Sequence, residues 1–185
     1  MYHYPGGYNP WYQARPNNWG PNNWNQASWN MMPNQQMPNQ MNQQHLISGR
    51  EDFGGNPFVV DMEKATTNND YFRRALWTGE YLQVTLMSIG VGEDIGLEVH
   101  PDTDQFLRIE EGQGLTMMGD SENRLDFRQP VYADDAIMIP AGKYHNLINT
   151  GNTPLKLYSI YAPPEHPFGT VHETKQDAME AEENH

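Results

Sequence analysis

Gly92-Glu-Asp-Ile-Gly-Leu-Glu98-Val-His100-Pro-Asp-Thr-Asp-Gln105 is a short run with a carboxylate, an imidazole and an amide at positions 98, 100 and 105, and Gly112 closes the wider segment. In an extended strand successive side chains alternate faces, so Glu98 and His100 project the same way. Pro101 to Asp104 has the composition of a turn, after which Gln105 opens a neighbouring strand. A second run, Pro140-Ala-Gly142-Lys-Tyr-His145-Asn-Leu-Ile-Asn149, brings His145 from a strand far along the chain. These four polar groups can converge inside a small barrel.

Outward from these runs the chain is a series of short apolar segments punctuated by Gly, Pro, Asn and Asp. Strands are expected at 58–62, 81–89, 95–100, 105–110, 114–118, 126–127, 136–139, 145–149 and 155–162. Leu82, Val84 and Leu86 share one face, as do Leu155, Leu157, Ser159 and Tyr161. Residues 69–77 read equally as helix or strand. No long amphipathic helix separates the strands, which excludes a parallel βαβ architecture and favours a sandwich or small barrel. The end of the chain is different. Thr174 to Glu183 is rich in helix formers, with Thr174 as N-cap and Asp177 three residues on.

The two runs resemble the paired signatures of the cupin superfamily. The first has the family spacing of Gly, five residues, two ligands flanking one residue, four residues, a third ligand, six residues, Gly. The second has Pro-x-Gly-x-x-His-x-x-x-Asn, with Asp134 where the family usually has its leading Gly. The resemblance implies an all-β fold: a single cupin (jelly-roll) β-barrel over 46–175, with flanking arms, a disordered N-terminal arm over 1–45, and a short C-terminal helix running into an acidic tail at 176–185. It departs from the family where Glu98 replaces the usual first His and Gln105 the usual Glu. Carried over by position, the implied metal ligands are Glu98, His100, Gln105 and His145. Two imidazoles, one carboxylate and one amide suit Mn, Fe, Ni, Co or Zn better than Ca, which wants more oxygens. The ligand types are also distantly similar to those of phosphomannose isomerase-like cupins.

The alternative is a site without metal, in which Glu98 pairs with a buried basic group and His145 is a satisfied core histidine. Around the ligands, Asp102 and Asp104 are turn residues or second contacts to the site. Leu107 points inward, and Tyr144 stands at the barrel mouth. Arg108 falls on the opposite face from Leu107. The segment Pro163-Pro-Glu-His166-Pro-Phe-Gly-Thr-Val-His172 reads as a rigid strap, with His166 and His172 as open candidates for the site.

Charge is unevenly distributed. Of 11 basic and 24 acidic residues, only Arg15 lies in 1–45, so the rest of the chain carries a net −14. An acidic chain excludes the basic footprint of a nucleic-acid binder and of a protein drawn to anionic membranes. Cys is absent, which removes disulfides and thiolate-ligated metals. No apolar run is long enough to span a bilayer. No secretory leader is evident, so a cytoplasmic location is expected. Residues 1–45 hold four of the five Trp, no branched aliphatic residue, and loose repeats such as Pro16-Asn-Asn-Trp-Gly and Pro21-Asn-Asn-Trp-Asn. This composition suits a self-associating or docking segment, and is similar to tails of spore-coat proteins. Two functions therefore stand side by side. One is a homodimeric metal-binding cupin acting on a small oxygen-rich molecule, a sugar or a carboxylic acid, by Lewis-acid catalysis. The other is an assembly protein whose barrel is a scaffold.

Overall fold

The computed structural model describes residues 49–183; the arm expected over 1–45 lies outside them. The described chain is almost entirely antiparallel. In order it forms α1 (Met62–Thr67), β1 (Arg73–Thr78), β2 (Gln83–Ile89), β3 (Asp104–Glu111), β4 (Gln113–Gly119), β5 (Phe127–Tyr132), β6 (Ala136–Ile139), β7 (Tyr144–Asn149), β8 (Leu155–Ala162), β9 (Val171–His172) and α2 (Lys175–Glu183). The strands make a six-stranded sheet, β6-β3-β8-β2-β1-β9, and a three-stranded sheet, β5-β4-β7. Antiparallel sheets joined by short turns, with few helices, form the jelly-roll expected.

The main core lies between the sheets. Met87, Ile89, Leu107, Ile109, Leu155 and Leu157 of the large sheet pack with Leu147 and Val131 of the small one. A fully buried side chain of this size contributes ~2–3 kcal/mol. A second cluster, Ala65, Leu76 and Leu86 with Phe53, Phe58, Val60 and Met62, covers another face of the large sheet. Residues 58–62, expected as a strand, belong to this cover. Asp61 caps α1 instead, its Oδ1 accepting from the Lys64 amide at 3.1 Å. A short apolar run cannot by itself distinguish a strand from a packed arm.

Three other expectations change. Residues 95–100 make only one isolated bridge, Glu98 to His145, beside another at Asp94 to Ile148. Gly96 at φ 97° and Pro101 prevent a continuous ladder. The short strand at 126–127 extends to Tyr132, and Pro130 is tolerated because β5 is an edge strand. Residues 73–78 resolve the ambiguous stretch as strand. At the other end α2 begins as expected, with a reciprocal capping box. The Asp177 amide donates to Thr174 Oγ1 at 3.2 Å, and the Thr174 amide donates to Asp177 Oδ2 at 2.8 Å.

The fixed residues of the two signature runs act through the backbone. Gly112 has φ 93°, and a Cβ there would stand 2.9 Å from the Pro154 carbonyl oxygen. Asp134, at the position where the family usually has Gly, has φ 74°, the one described non-glycine residue in this region. Asp tolerates that conformation better than most residues. Its carboxylate meets Arg108 at 2.6 Å. Asn149 uses its whole amide: Nδ2 donates to Ile89 O (2.9 Å) and Thr153 O (2.8 Å), and Oδ1 accepts from Gly151 N (2.9 Å).

Candidate metal centre

Glu98 and His145 exchange both backbone hydrogen bonds, Glu98 N to His145 O at 3.0 Å and His145 N to Glu98 O at 2.9 Å. Residues opposed in this way present their side chains to the same face of the pair. The Gly142 amide, donating to His100 O at 2.8 Å, fastens the second run to the first two residues further on. Glu98, His100 and His145 thus come together, their ligand atoms all within 4.8 Å of one another. The imidazole centroids are 5.3 Å apart.

Each imidazole is oriented by its other nitrogen. His145 Nδ1 lies 2.9 Å from the Lys143 carbonyl oxygen, which can only accept. Nδ1 therefore carries the proton and Nε2 presents a lone pair. His100 Nδ1 lies 3.1 Å from Glu165 Oε1, the carboxylate–histidine arrangement that frees Nε2 in the same way. Both Nε2 atoms are buried without a hydrogen-bond partner. They stand 3.6 Å (His100) and 3.7 Å (His145) from Glu98 Oε2, too far for a hydrogen bond. Donor atoms about 2.1 Å from a shared tetrahedral ion lie ~3.4 Å apart, so little movement is needed to hold one.

Glu98 does have a buried basic partner. Arg73 Nη2 meets Glu98 Oε1 at 2.5 Å, with the two side chains 1% and 10% exposed. Burial alone would raise the Glu98 pKa; the Arg73 guanidinium, helped by the two histidines, outweighs it and holds the carboxyl well below the usual range. Arg73 occupies one carboxylate oxygen and leaves Oε2 facing the imidazoles. Burial pulls His100 down, but Glu98 on one side and Glu165 on the other leave it raised.

Gln105 begins the neighbouring strand as expected. Its Nε2 donates to Ser159 Oγ at 3.0 Å. Its Oε1 is buried without a hydrogen-bond partner. The other sequence candidates sit elsewhere. Leu107 is a core residue between the sheets. Asp104 accepts from the Ala141 amide at 2.8 Å and locks the turn, while Asp102 is exposed. Tyr144 is half-buried on β7. None of the four lines the cavity beside the cluster.

That cavity has a volume of about 780 Å³ and reaches Arg73, Glu98, His100, Glu165, His166 and His172. Its far wall is the strap between β8 and β9. Gln83 clamps the strap by its main chain: Gln83 Nε2 donates to His166 O at 2.8 Å, and the His166 amide donates to Gln83 Oε1 at 2.9 Å. Tyr161, fully buried, stacks edge-on between His100 (5.6 Å) and His166 (5.1 Å). Sequence reasoning missed Arg73, Tyr161 and the contact of Glu165 with His100. The strap histidines were its one signal for this wall.

The model of the Cupin domain matches residues 85–161, the span holding both signature runs and the three clustered side chains. This chain belongs to the cupin family. The cupin is 65% identical over 133 residues to the uncharacterised protein YrkC of Bacillus subtilis, covering 72% of each chain. It is 41% identical over 115 residues to the uncharacterised protein L612 of Acanthamoeba polyphaga mimivirus, covering 62% of this chain and 70% of that one. The crystal structure of BH2720 from Bacillus halodurans is 65% identical, with a TM-score of 0.70 over 70% of this cupin and 98% of that chain. Among the described residues no helix is long and apolar enough to cross a membrane. The segment on which the assembly reading rests lies outside those residues.

Proposed function

We propose that this cupin holds a divalent transition metal through Glu98 Oε2, His100 Nε2 and His145 Nε2, with Gln105 Oε1 as a fourth donor, and that it acts on a small oxygen-rich molecule. The observation that carries this reading is the pair of buried Nε2 atoms without partners, both turned toward one carboxylate oxygen. A buried polar atom left unpaired costs ~1–3 kcal/mol, and an ion would satisfy three such atoms together. The mixed nitrogen and oxygen set favours Mn, Fe, Co, Ni or Zn over Ca or Mg. A metal bound there supplies Lewis acidity toward a carbonyl or hydroxyl oxygen. The chain's own residues bind and orient. Glu165 and the Lys143 carbonyl set the two imidazoles, Arg73 limits Glu98 to one free oxygen, and the strap excludes bulk water from one side.

The test is elemental analysis of full-length protein beside His100→Ala and His145→Ala. Near-stoichiometric metal in the wild type, lost in both variants while circular dichroism is unchanged, is the expected result. Wild-type protein that stays metal-free after soaking in Mn(II), Fe(II), Co(II), Ni(II) and Zn(II) would overturn the reading.

A further inference from the structure

The arm before α1 covers the large sheet incompletely. Where it passes the end of the β1–β2 hairpin, it leaves a groove of about 440 Å³, walled by Pro57, Phe58 and Val60 of the arm and Leu76, Trp77 and Val84 of the strands. The aromatic walls are fixed in place. Phe58 stacks on Phe53 with centroids 4.6 Å apart, and Trp77 Nε1 donates to Asn56 O at 2.8 Å. Beside the groove apolar side chains stand in solvent. Val59, between two wall residues, is 93% exposed, and Tyr81, in the turn that joins the two strands, is 74% exposed. Ordered aromatic and aliphatic groups of this kind, free of charge, are the make-up of an interface core.

Charge identifies the occupant. No charged residue lines the groove, on a chain whose residues 46–185 carry a net −14. Two copies of so acidic a domain repel wherever their charges face each other, and they approach at least cost through an uncharged surface. A basic partner would be drawn to other parts of the molecule, since nothing here would pair with it. The groove formed by Met118, Phe127 and Met138 differs, because Asp120, Asp126 and Lys143 also line it. Shape points the same way. An isologous contact needs one surface that carries both a projection and a recess, so that each copy fills the other. Val59 projects directly beside the groove, and the two serve as knob and hole. Residues 55–62 and 76–84 fall short of the ~20–30 residues a side of a standard interface, so the association is reversible and depends on concentration.

We infer that the groove and its rim, residues 55–60 and 77–84, are a docking surface for a second copy of this chain, with Val59 of each copy entering the groove of the other about a two-fold axis. This surface is separate from the clustered side chains and does not rest on the metal reading.

The test is sedimentation velocity on the full-length protein from about 10 μM to about 500 μM, in chelator so that metal plays no part. Wild-type protein is expected to pass from 21.3 kDa toward twice that mass as concentration rises. Raising the salt should strengthen the dimer, because screening relieves the repulsion between two acidic domains. Val59→Asp and Tyr81→Asp should each weaken it by about tenfold or more, by placing a charge in an apolar contact. Both side chains stand in solvent, so thermal unfolding of the variants at low concentration should match that of the wild type. Met138→Asp, at a residue 65% exposed on β6, should leave the association unchanged. Deuterium exchange of the wild type at the two ends of the concentration range should show protection gained at 55–60 and 79–84, a readout that needs no variant. A protein that stays monomeric to about 500 μM at low and high salt would overturn the inference. So would a dimer that survives both substitutions, or protection gained only elsewhere in the chain.

Discussion

Replacing Arg73 with Met removes the cation facing Glu98 while keeping most of the side-chain bulk. At the observed 2.5 Å, two unit charges attract by ~7 kcal/mol at an effective dielectric of about 20. Desolvation of both groups consumes much of that gain, and breaking one side of a buried pair costs ~3–5 kcal/mol, because the remaining charge is stranded. For a domain of this size that is a fall in Tm of roughly 10–20 °C. The assay is thermal or urea unfolding in chelator, for wild type, Arg73→Met, Glu98→Gln and the double variant. The double variant should be clearly more stable than Arg73→Met alone, since no unpaired carboxylate remains. The Arg73 contact with the Phe72 ring is lost in both and cancels. With Mn(II) at about a hundred times its Kd, any form that binds the ion gains ~2.7 kcal/mol. Arg73→Met should gain more than wild type at equal metal, because the ion replaces the missing counter-charge. Arg73→Met within a few degrees of wild type in chelator, or a double variant no better than it, would refute the electrostatic account of the site.

Three further outcomes follow from the geometry. Glu165→Ala should weaken metal affinity by ~10–100-fold in a competition assay with a chromophoric chelator, and Glu165→Gln by less, because an amide oxygen still accepts from His100 Nδ1; equal affinity in all three would remove Glu165 from the centre. Asn149→Ala strips three hydrogen bonds from a buried amide and should cost ~2–4 kcal/mol in urea unfolding, whereas a cost below 1 kcal/mol would mean that relaxed backbone or water replaces them. Gly112→Ala places a Cβ at positive φ and 2.9 Å from a carbonyl oxygen, and its Tm should fall by several degrees; an unchanged Tm would show that this turn relaxes freely.

The parts of this molecule that could be read from sequence are those governed by local geometry. The glycines whose spacing marks the two runs prove to stand at positive φ, and Asp134 shows that the conformation, rather than the residue type, is what the position requires. Alternation brought Glu98 and His100 to one side, and the match of the second run brought His145 to meet them. The capping residues of α2 were legible because a cap depends on only a few neighbouring positions. What stayed hidden depends on long-range packing. Arg73 lies in a stretch with no clear period, and nothing local marks it as the counter-ion of a residue 25 positions away. Residues 58–62 look like a strand because they are apolar, yet they are apolar to cover a sheet. Glu165 sits in a Pro-rich segment whose course is set by contacts with Gln83 and Asp52.

The strap is attached by its peptide groups. Gln83 grips the main chain of residue 166, Asp52 accepts from the Gly169 amide at 3.0 Å, and the Ala75 amide donates to the Thr170 carbonyl at 2.8 Å. These attachments do not depend on which side chains the strap displays at 165, 166 and 172. The barrel can therefore exchange the rings that its strap displays at 166 and 172 while its fold and its three clustered side chains stay as they are. In evolutionary terms the strap is a replaceable faceplate, and the side chains at 166 and 172 should drift faster than the three clustered ones.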